Sequence, residues 1–315
     1  MHPEKFTILI HGGAGDINSA PAELQEAYKD SIENILLKLK PHALKGRNAI
    51  ELVSRAVTLL ENDPIFNAGK GSVLNSDSEF ELDASIMCGK TLNAGAVCRI
   101  QNFANPIKIA KKILHDPRFV FLNGSGAEQY AIENGFNPVR KKYFITPLRV
   151  QQLKEYKENE INLDIEETPT EGYKLGTVGA VACDRRGNIA AATSTGGICN
   201  KKYGRIGDTP IIGASTYADN ETIAVSTSGY GEQFIRAGFA KFLSDYTLLT
   251  NSNLKESCET SMYHLYQKFQ GIGGLIALNS KGDYISRFNT PGLIHGVVTE
   301  DTLQVNLTSR LTQIN

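Results

Sequence analysis

The chain lacks the features that would assign it to nucleic acid, to a membrane or to a zinc site. Lysine plus arginine number 33 against 34 acidic residues, a net charge of −1. No basic stripe gathers locally, which argues against DNA or RNA as a partner. No apolar run approaches the ~18 residues that read as a membrane span. The polar start Met1-His2-Pro3-Glu4-Lys5-Phe6 has no signal-peptide core, so a cytoplasmic protein with no membrane partner is expected. The five cysteines (Cys88, Cys98, Cys183, Cys199, Cys258) are odd in number and have no CxxC spacing. They are expected as buried free thiols in a reducing compartment. The six histidines make neither an HxxxH pair nor a His–Cys cluster, so no zinc site is expected. What remains, 41% hydrophobic and 21% charged over 315 residues, is an ordinary globular composition, ample for a substantial core.

Thr7-Ile8-Leu9-Ile10 predicts a first strand that ends in the glycine-rich turn His11-Gly12-Gly13-Ala14-Gly15. The turn lacks the GxxxxGK[ST] pattern of a phosphate loop, and close backbone packing is the better reading. Apolar stripes at Leu24, Tyr28, Ile32, Ile35, Leu36 and Leu39, and at Ala49, Ile50, Val53, Ala56, Val57 and Leu60, predict two helices. Pro64 ends the second, and the glycines at 69 and 71 indicate an ordered loop over Ile65–Val73. Strands follow near Glu81–Met87 and Ala94–Ile100, then a helix over Pro106–Leu114. From Gln151 to Lys174 charges crowd together with few apolar residues, which predicts a mobile linker leading to Gly176. Beyond it, two hairpins (Gly179–Cys183 with Ile189–Thr193, Leu275–Leu278 with Tyr284–Phe288) bracket a strand at Ala224–Ser226. Helices are predicted over Glu232–Tyr246 and Leu254–Phe269. The pattern is α+β, antiparallel sheets covered by helices, and a helix–sheet–sheet–helix sandwich satisfies it.

Gly176-Thr177 stands at the entrance of a strongly β-forming run. A cut there would put a hydroxyl nucleophile and an α-amino base of pKa near ~8 on one residue. The hairpin brings Thr195 of Thr193-Ser194-Thr195-Gly196-Gly197 close to Thr177, since paired residues lie about 5 Å apart. In Ser226-Thr227-Ser228-Gly229-Tyr230-Gly231-Glu232 a strand passes through glycines into a helix, where backbone N–H groups are able to hold an oxyanion. Gly204-Arg205-Ile206-Gly207-Asp208 sets a cation and an anion in one tight turn. They either match the two charges of an α-amino acid or pair with each other.

These segments resemble the plant-type L-asparaginase/isoaspartyl aminopeptidase family of N-terminal-nucleophile hydrolases over essentially the whole chain. The likeness is carried by His11-Gly12-Gly13-Ala14-Gly15, Phe66-Asn67-Ala68-Gly69 with Gly71, Glu81-Leu82-Asp83-Ala84, Gly95-Ala96-Val97 and Asn105-Pro106. It continues through Gly176–Val181, Ala192–Gly197, Gly204–Asp208 and Gly229–Glu232. The resemblance implies a single four-layer αββα domain over 1–315. It implies autocleavage into an α chain 1–176, ending in a linker over about 151–176, and a β chain 177–315, assembled as an (αβ)₂ homodimer. It implies hydrolysis of asparagine and β-aspartyl dipeptides, small-molecule substrates, without a catalytic cofactor. Thr177 would be the nucleophile, positioned by Thr195 and approached by Asn67. Ser228 and the Gly229 N–H would stabilise the oxyanion. Arg205 would hold the substrate α-carboxylate, and Asp208 with Gly231 the α-amino group. Leu60, Glu61, Asp63, Phe66, Ala68 and Lys70 would offer backbone carbonyls to a structural sodium ion. Ser228 departs from the threonine many relatives carry; it keeps the hydroxyl but loses the methyl that restricts χ1. Glycosylasparaginases share this fold and nucleophile but typically place an aspartate before the threonine, where this chain has Leu175-Gly176. A non-catalytic amino-acid-binding protein would need Arg205 and Asp208 but not three hydroxyls.

Overall fold

The computed structural model of the chain describes residues 5–158, 176–308 and 312–313. Its centre is built from strands buried on both faces. In β1 (Thr7–Gly15), Ile8 and Ile10 enter one hydrophobic cluster while Leu9 enters another, so successive side chains serve opposite cores. In the eight-stranded sheet β1 lies between β5 (Val178–Cys183) and β11 (Gly292–Thr299). Outward from β5 come β6 (Ile189–Thr195), β2 (Leu82–Cys88), β3 (Ala94–Ile100) and β4 (Phe121–Asn123), and β12 (Leu303–Asn306) flanks β11. The second sheet orders β13 (Thr312–Gln313), β10 (Tyr284–Phe288), β9 (Gly273–Leu278), β8 (Ala224–Gly229) and β7 (Thr216–Ala218).

Leu9, Val181, Ala191, Ile276, Leu278 and Val297 fill the space between the sheets. Helices α1 (Ala22–Leu44), α2 (Ala49–Asn62) and α3 (Pro106–Leu114) bury their apolar stripes on the outer face of the larger sheet, with α4 (Gly124–Glu133) alongside. Helices α6 (Gly231–Ala237), α7 (Phe239–Thr250) and α8 (Leu254–Phe269) cover the smaller one. The result is the four-layer α+β sandwich expected from the sequence.

The structure adds to that expectation in several places. β1 continues through His11–Gly15 instead of turning, with a register shift between His11 and Gly13. Gly13 takes φ +119°, and a Cβ on Gly12 would strike the Phe66 ring, so both glycines are steric requirements of this bulge. Among the described residues every strand pair is antiparallel except β3 with β4, which is parallel because α3 forms the crossover between them. The helix expected over Glu232–Tyr246 is two helices, broken where Gly238 adopts φ +54°. The charged stretch from Gln151 is not linker from its start: α5 (Pro147–Glu158) runs into it and buries Arg149 and Leu153. The remainder of the expected linker, 159–175, lies outside the described residues.

Candidate active site

Thr177 sits one residue before β5 with its side chain buried. The β5–β6 register pairs Val178 with Ser194, which sets Thr177 opposite Thr195 as the hairpin predicted. The side chains of β6 alternate: Ser194 faces the helical layer, while Thr193 joins Thr216 and Ser226 between the sheets. Thr195 therefore lies on the inter-sheet side, where its hydroxyl accepts the Gly197 N–H at 3.0 Å. The hydroxyl that bonds Thr177 Oγ1 is that of Thr209, at 3.3 Å. Thr209 was not singled out by the sequence, although it directly follows Asp208.

Ser228, at the end of β8, accepts the Ala14 N–H at 2.9 Å, so the glycine-rich end of β1 holds this hydroxyl in place. A Cβ on Gly176 would lie 3.4 Å from Ser228 Oγ, which places Ser228 directly beside the Gly176-Thr177 bond. Gly229 has no space for a side chain: Phe234 and Gly273 would lie 2.6 and 2.7 Å from its Cβ. Asn67 clamps the neighbouring loops. Its Nδ2 donates to Gly197 O at 2.7 Å, its Oδ1 accepts from Val73 N at 3.0 Å, and its carbonyl accepts from Gly196 N at 3.1 Å. It thus grips the segment just after Thr195, without a hydrogen bond to Thr177 itself.

Arg205 and Asp208 share one turn but do not hydrogen-bond each other. The Arg205 guanidinium is gripped in parallel by Glu232, Nε to Oε1 and Nη2 to Oε2, both at 2.8 Å. Glu232, the last residue of the Gly229–Glu232 segment, carries a role the sequence reading did not assign. Asp208 is buried and accepts from the Thr227 hydroxyl at 3.3 Å. Burial pushes its carboxyl up to about 6, against the pull of the Arg205 charge. A Cβ on Gly231 would lie 2.8 Å from Asp208 Oδ1 and 3.0 Å from Arg205 Nη2, so this glycine keeps open the space where both charges meet. Beside the turn opens a cavity of about 340 Å³, lined by Glu81, Arg99, Lys201, Lys202, Tyr203 and Gly204 among others.

The role the resemblance implies for Asp208, holding an α-ammonium group, requires the ionised carboxylate. KM for asparagine is therefore expected to rise as pH falls through about 6, where Asp208 takes up its proton. Steady-state kinetics from pH 5 to 8 check this, and Asp208→Asn flattens the dependence while raising KM throughout.

The loop after α2 was expected to hold a cation by its backbone. Asn48 caps the start of α2 by accepting from Glu51 N, and the other end of that helix delivers Leu60 and Glu61. Carbonyls at a helix C-terminus are partly unsatisfied and carry the negative end of the helix dipole. The carbonyls of Leu60, Asp63 and Ala68 accept only longer bonds of 3.2–3.4 Å, from Asp63, Phe66 and Gly71 respectively. Each keeps a lone pair for a hard cation, so this oxygen-only donor set fits sodium. The Glu61 carboxyl is used elsewhere. Fully buried and pushed by burial up to about 8, it accepts from Ser194 Oγ at 2.7 Å and from Ile107 N at 3.1 Å. Glu61→Gln keeps an acceptor for both donors and is expected to cost under ~1 kcal/mol. Glu61→Ala strands two buried donors and is expected to cost about 2–4 kcal/mol, read from denaturant midpoints.

Cys98, Cys183, Cys199 and Cys258 are buried and Cys88 is half-buried. Among the described residues no helix is long and apolar enough to cross a membrane.

Comparison with known proteins identifies the family. The family model described as Asparaginase matches residues 4–307. The isoaspartyl peptidase of Escherichia coli (strain K12) is 42% identical over 293 residues, covering 92% of this chain and 91% of that protein. The isoaspartyl peptidase/L-asparaginase of Mus musculus is 38% identical, covering 96% of this chain and 90% of that protein. Its Homo sapiens counterpart is 40% identical, covering 91% of each.

Proposed function

We infer, since the chain belongs to the Asparaginase family, that it is an amidohydrolase acting on isoaspartyl peptides and on asparagine. The observation that carries its mechanism is the burial of the Thr177 hydroxyl where Gly176, Ser228 and the Asp208–Thr209 pair converge. The chain cuts itself before Thr177, leaving α chain 1–176 and β chain 177–315. In the cut, Thr177 Oγ1 attacks the Gly176 carbonyl, the peptide nitrogen leaves as an amine, and water hydrolyses the resulting ester. Glycine before the bond tolerates the strained backbone this attack needs. In the mature enzyme the freed α-amine accepts the hydroxyl proton, and Oγ1 attacks the side-chain carbonyl of the substrate.

Arg205 binds the α-carboxylate, while Asp208 and the space kept by Gly231 receive the α-ammonium. Ser228 Oγ and the Gly229 N–H face the oxyanion, a service worth about 10²–10³ in rate per donor. Thr195 and Asn67 fix the strand end beside the nucleophile. Ammonia or an amino acid departs, and water releases aspartate from the β-aspartyl ester. The chain's similarity to relatives named isoaspartyl peptidase supports this reading over a glycosylasparaginase or a non-catalytic binder.

The loop of Leu60, Glu61, Asp63, Phe66, Ala68 and Lys70 holds a structural sodium that steadies Asn67. Replacing sodium with choline at constant ionic strength is expected to lower the melting temperature and kcat, with recovery on adding sodium back. The processed protomers pair as (αβ)₂, and five cysteines without CxxC spacing favour a cytoplasmic location. The decisive experiment assays purified protein on asparagine and β-Asp-Leu while intact mass follows the fragments. Hydrolysis without a polypeptide that starts Thr-Val-Gly-Ala would overturn the nucleophile assigned.

A further inference from the structure

The nucleophile has a hydroxyl partner that neither the sequence motifs nor the relatives' names assign. Of the two hydroxyls expected around Thr177, Thr195 binds the Gly197 N–H and Ser228 binds the Ala14 N–H. The hydrogen bond to Thr177 Oγ1 is made by Thr209, which is fully buried. We propose that Thr209 is a positioning hydroxyl that aims Thr177 Oγ1, first for the backbone cut and then for turnover. The proposal rests on the self-processing threonine hydrolase described above.

Timing makes such a partner necessary. Before the cut, the Thr177 nitrogen is a peptide amide and offers no base, so the hydroxyl needs another acceptor to fix its direction. Thr209 is built to stay in place. Its carbonyl accepts from Ser85 Oγ at 2.6 Å, and Ser85 also bonds Thr216 Oγ1 at 2.8 Å. Thr216 bonds Thr193, which bonds Ser226 at 2.8 Å, and Ser226 bonds His11 Nε2 at 2.9 Å. This polar seam between the sheets pins the Thr209 backbone from behind, and β-branching restricts its χ1. The same turn holds Asp208, so one short segment sets both a substrate contact and the nucleophile. A 3.3 Å separation is long for two hydroxyls and suits a bond the nucleophile must leave.

During the cut, the bond from Oγ1 to the Gly176 carbonyl carbon forms and the Gly176–Thr177 C–N bond breaks. The hydroxyl proton goes to the departing Thr177 nitrogen. Water then splits the ester, leaving its OH on the Gly176 carbon and a hydrogen on Oγ1. Thr209 gains and loses nothing overall; it supplies direction.

The test compares Thr209→Val, which keeps shape and loses the hydroxyl, with Thr209→Ser, which keeps the hydroxyl. Intact mass times the appearance of the Thr177 chain, and kcat and KM are measured on β-Asp-Leu with fully processed protein. Thr209→Val is expected to slow processing about tenfold or more and to lower kcat comparably, with KM within about twofold. Thr209→Ser is expected to restore both rates to within about threefold. Should valine disturb packing, the ratio of Thr209→Ser to Thr209→Ala isolates the hydroxyl. Wild-type rates in Thr209→Val, a loss in Thr209→Ser as deep as in Thr209→Val, or a change confined to KM would each overturn the proposal. Failure of the wild type to cut or hydrolyse would instead overturn the underlying enzyme reading.

Discussion

Thr177→Ala is expected to remain a single chain of 34.4 kDa however long it is incubated, and to hydrolyse neither asparagine nor β-Asp-Leu. In the proposed mechanism alanine removes the attacking atom, in the cut and in turnover alike, so both losses share one cause. The fall in kcat should reach at least ~10⁴-fold, the scale seen when a covalent nucleophile is deleted. The fold should survive, because Thr177 precedes β5 and the alternating contacts of Val178, Ala180 and Ala182 with the helical layer are untouched. Thr177→Ser separates hydroxyl from methyl: it should cut and turn over, more slowly, because the unbranched side chain explores more rotamers. Denaturing gels and steady-state assays check both variants. Cleavage at the same bond in Thr177→Ala would remove Thr177 from the mechanism.

Periodicity made much of this molecule legible. The stripes of α1, α2, α3 and α8 and the two hairpins follow from spacing alone, because one side of each helix and both turns carry their own signals. β1 beyond Ile10 was hidden by its glycines, which read as a turn until Phe66 is seen against Gly12. β11 was hidden too: Gly292, His295 and Gly296 interrupt its apolar run, yet His295 is buried and bonds Ser286 from the opposite sheet. α5 looked like linker because its lysines and glutamates face solvent and only Arg149 and Leu153 are buried, too few for a visible stripe.

At the site, segments with distinctive glycines announced themselves, and the Gly176-Thr177 pair with the Arg205–Asp208 turn could be found without coordinates. The partners of those residues could not. Thr209, Glu232 and Ser85 have ordinary residue types, and their importance lies in what they touch across the space between strands. Sequence spacing says little about such contacts. The pairing of Arg205 is the clearest instance: its companion is Glu232, 27 residues away, and not the Asp208 of its own turn.

That pairing sharpens what Arg205→Ala should do. Glu232 occupies one edge of the guanidinium through Nε and Nη2, so the fork is fixed before any substrate arrives. The other edge, with Nη1, lies against Gly207, where a Cβ would come within 2.9 Å, while Gly231 leaves 3.0 Å beside Nη2. Two glycines thus leave the free donors uncovered, and in the role proposed for it Arg205 meets a substrate carboxylate with little conformational entropy left to lose. The variant should fold and cut itself, since Arg205 has no hydrogen bond to Thr177, Thr209 or Ser228, and the stranded Glu232 is exposed enough to be hydrated. Losing a charge-assisted pair of bonds should lower kcat/KM about 10²–10⁴-fold, mostly through KM. Arg205→Lys should recover little, because one ammonium cannot satisfy Glu232 and a second carboxylate in the same plane. Fragment masses and kcat/KM on asparagine decide the matter. An uncut Arg205→Ala chain, or a loss smaller than about fivefold, would mean that the guanidinium supports the fold through Glu232 and does not receive the substrate.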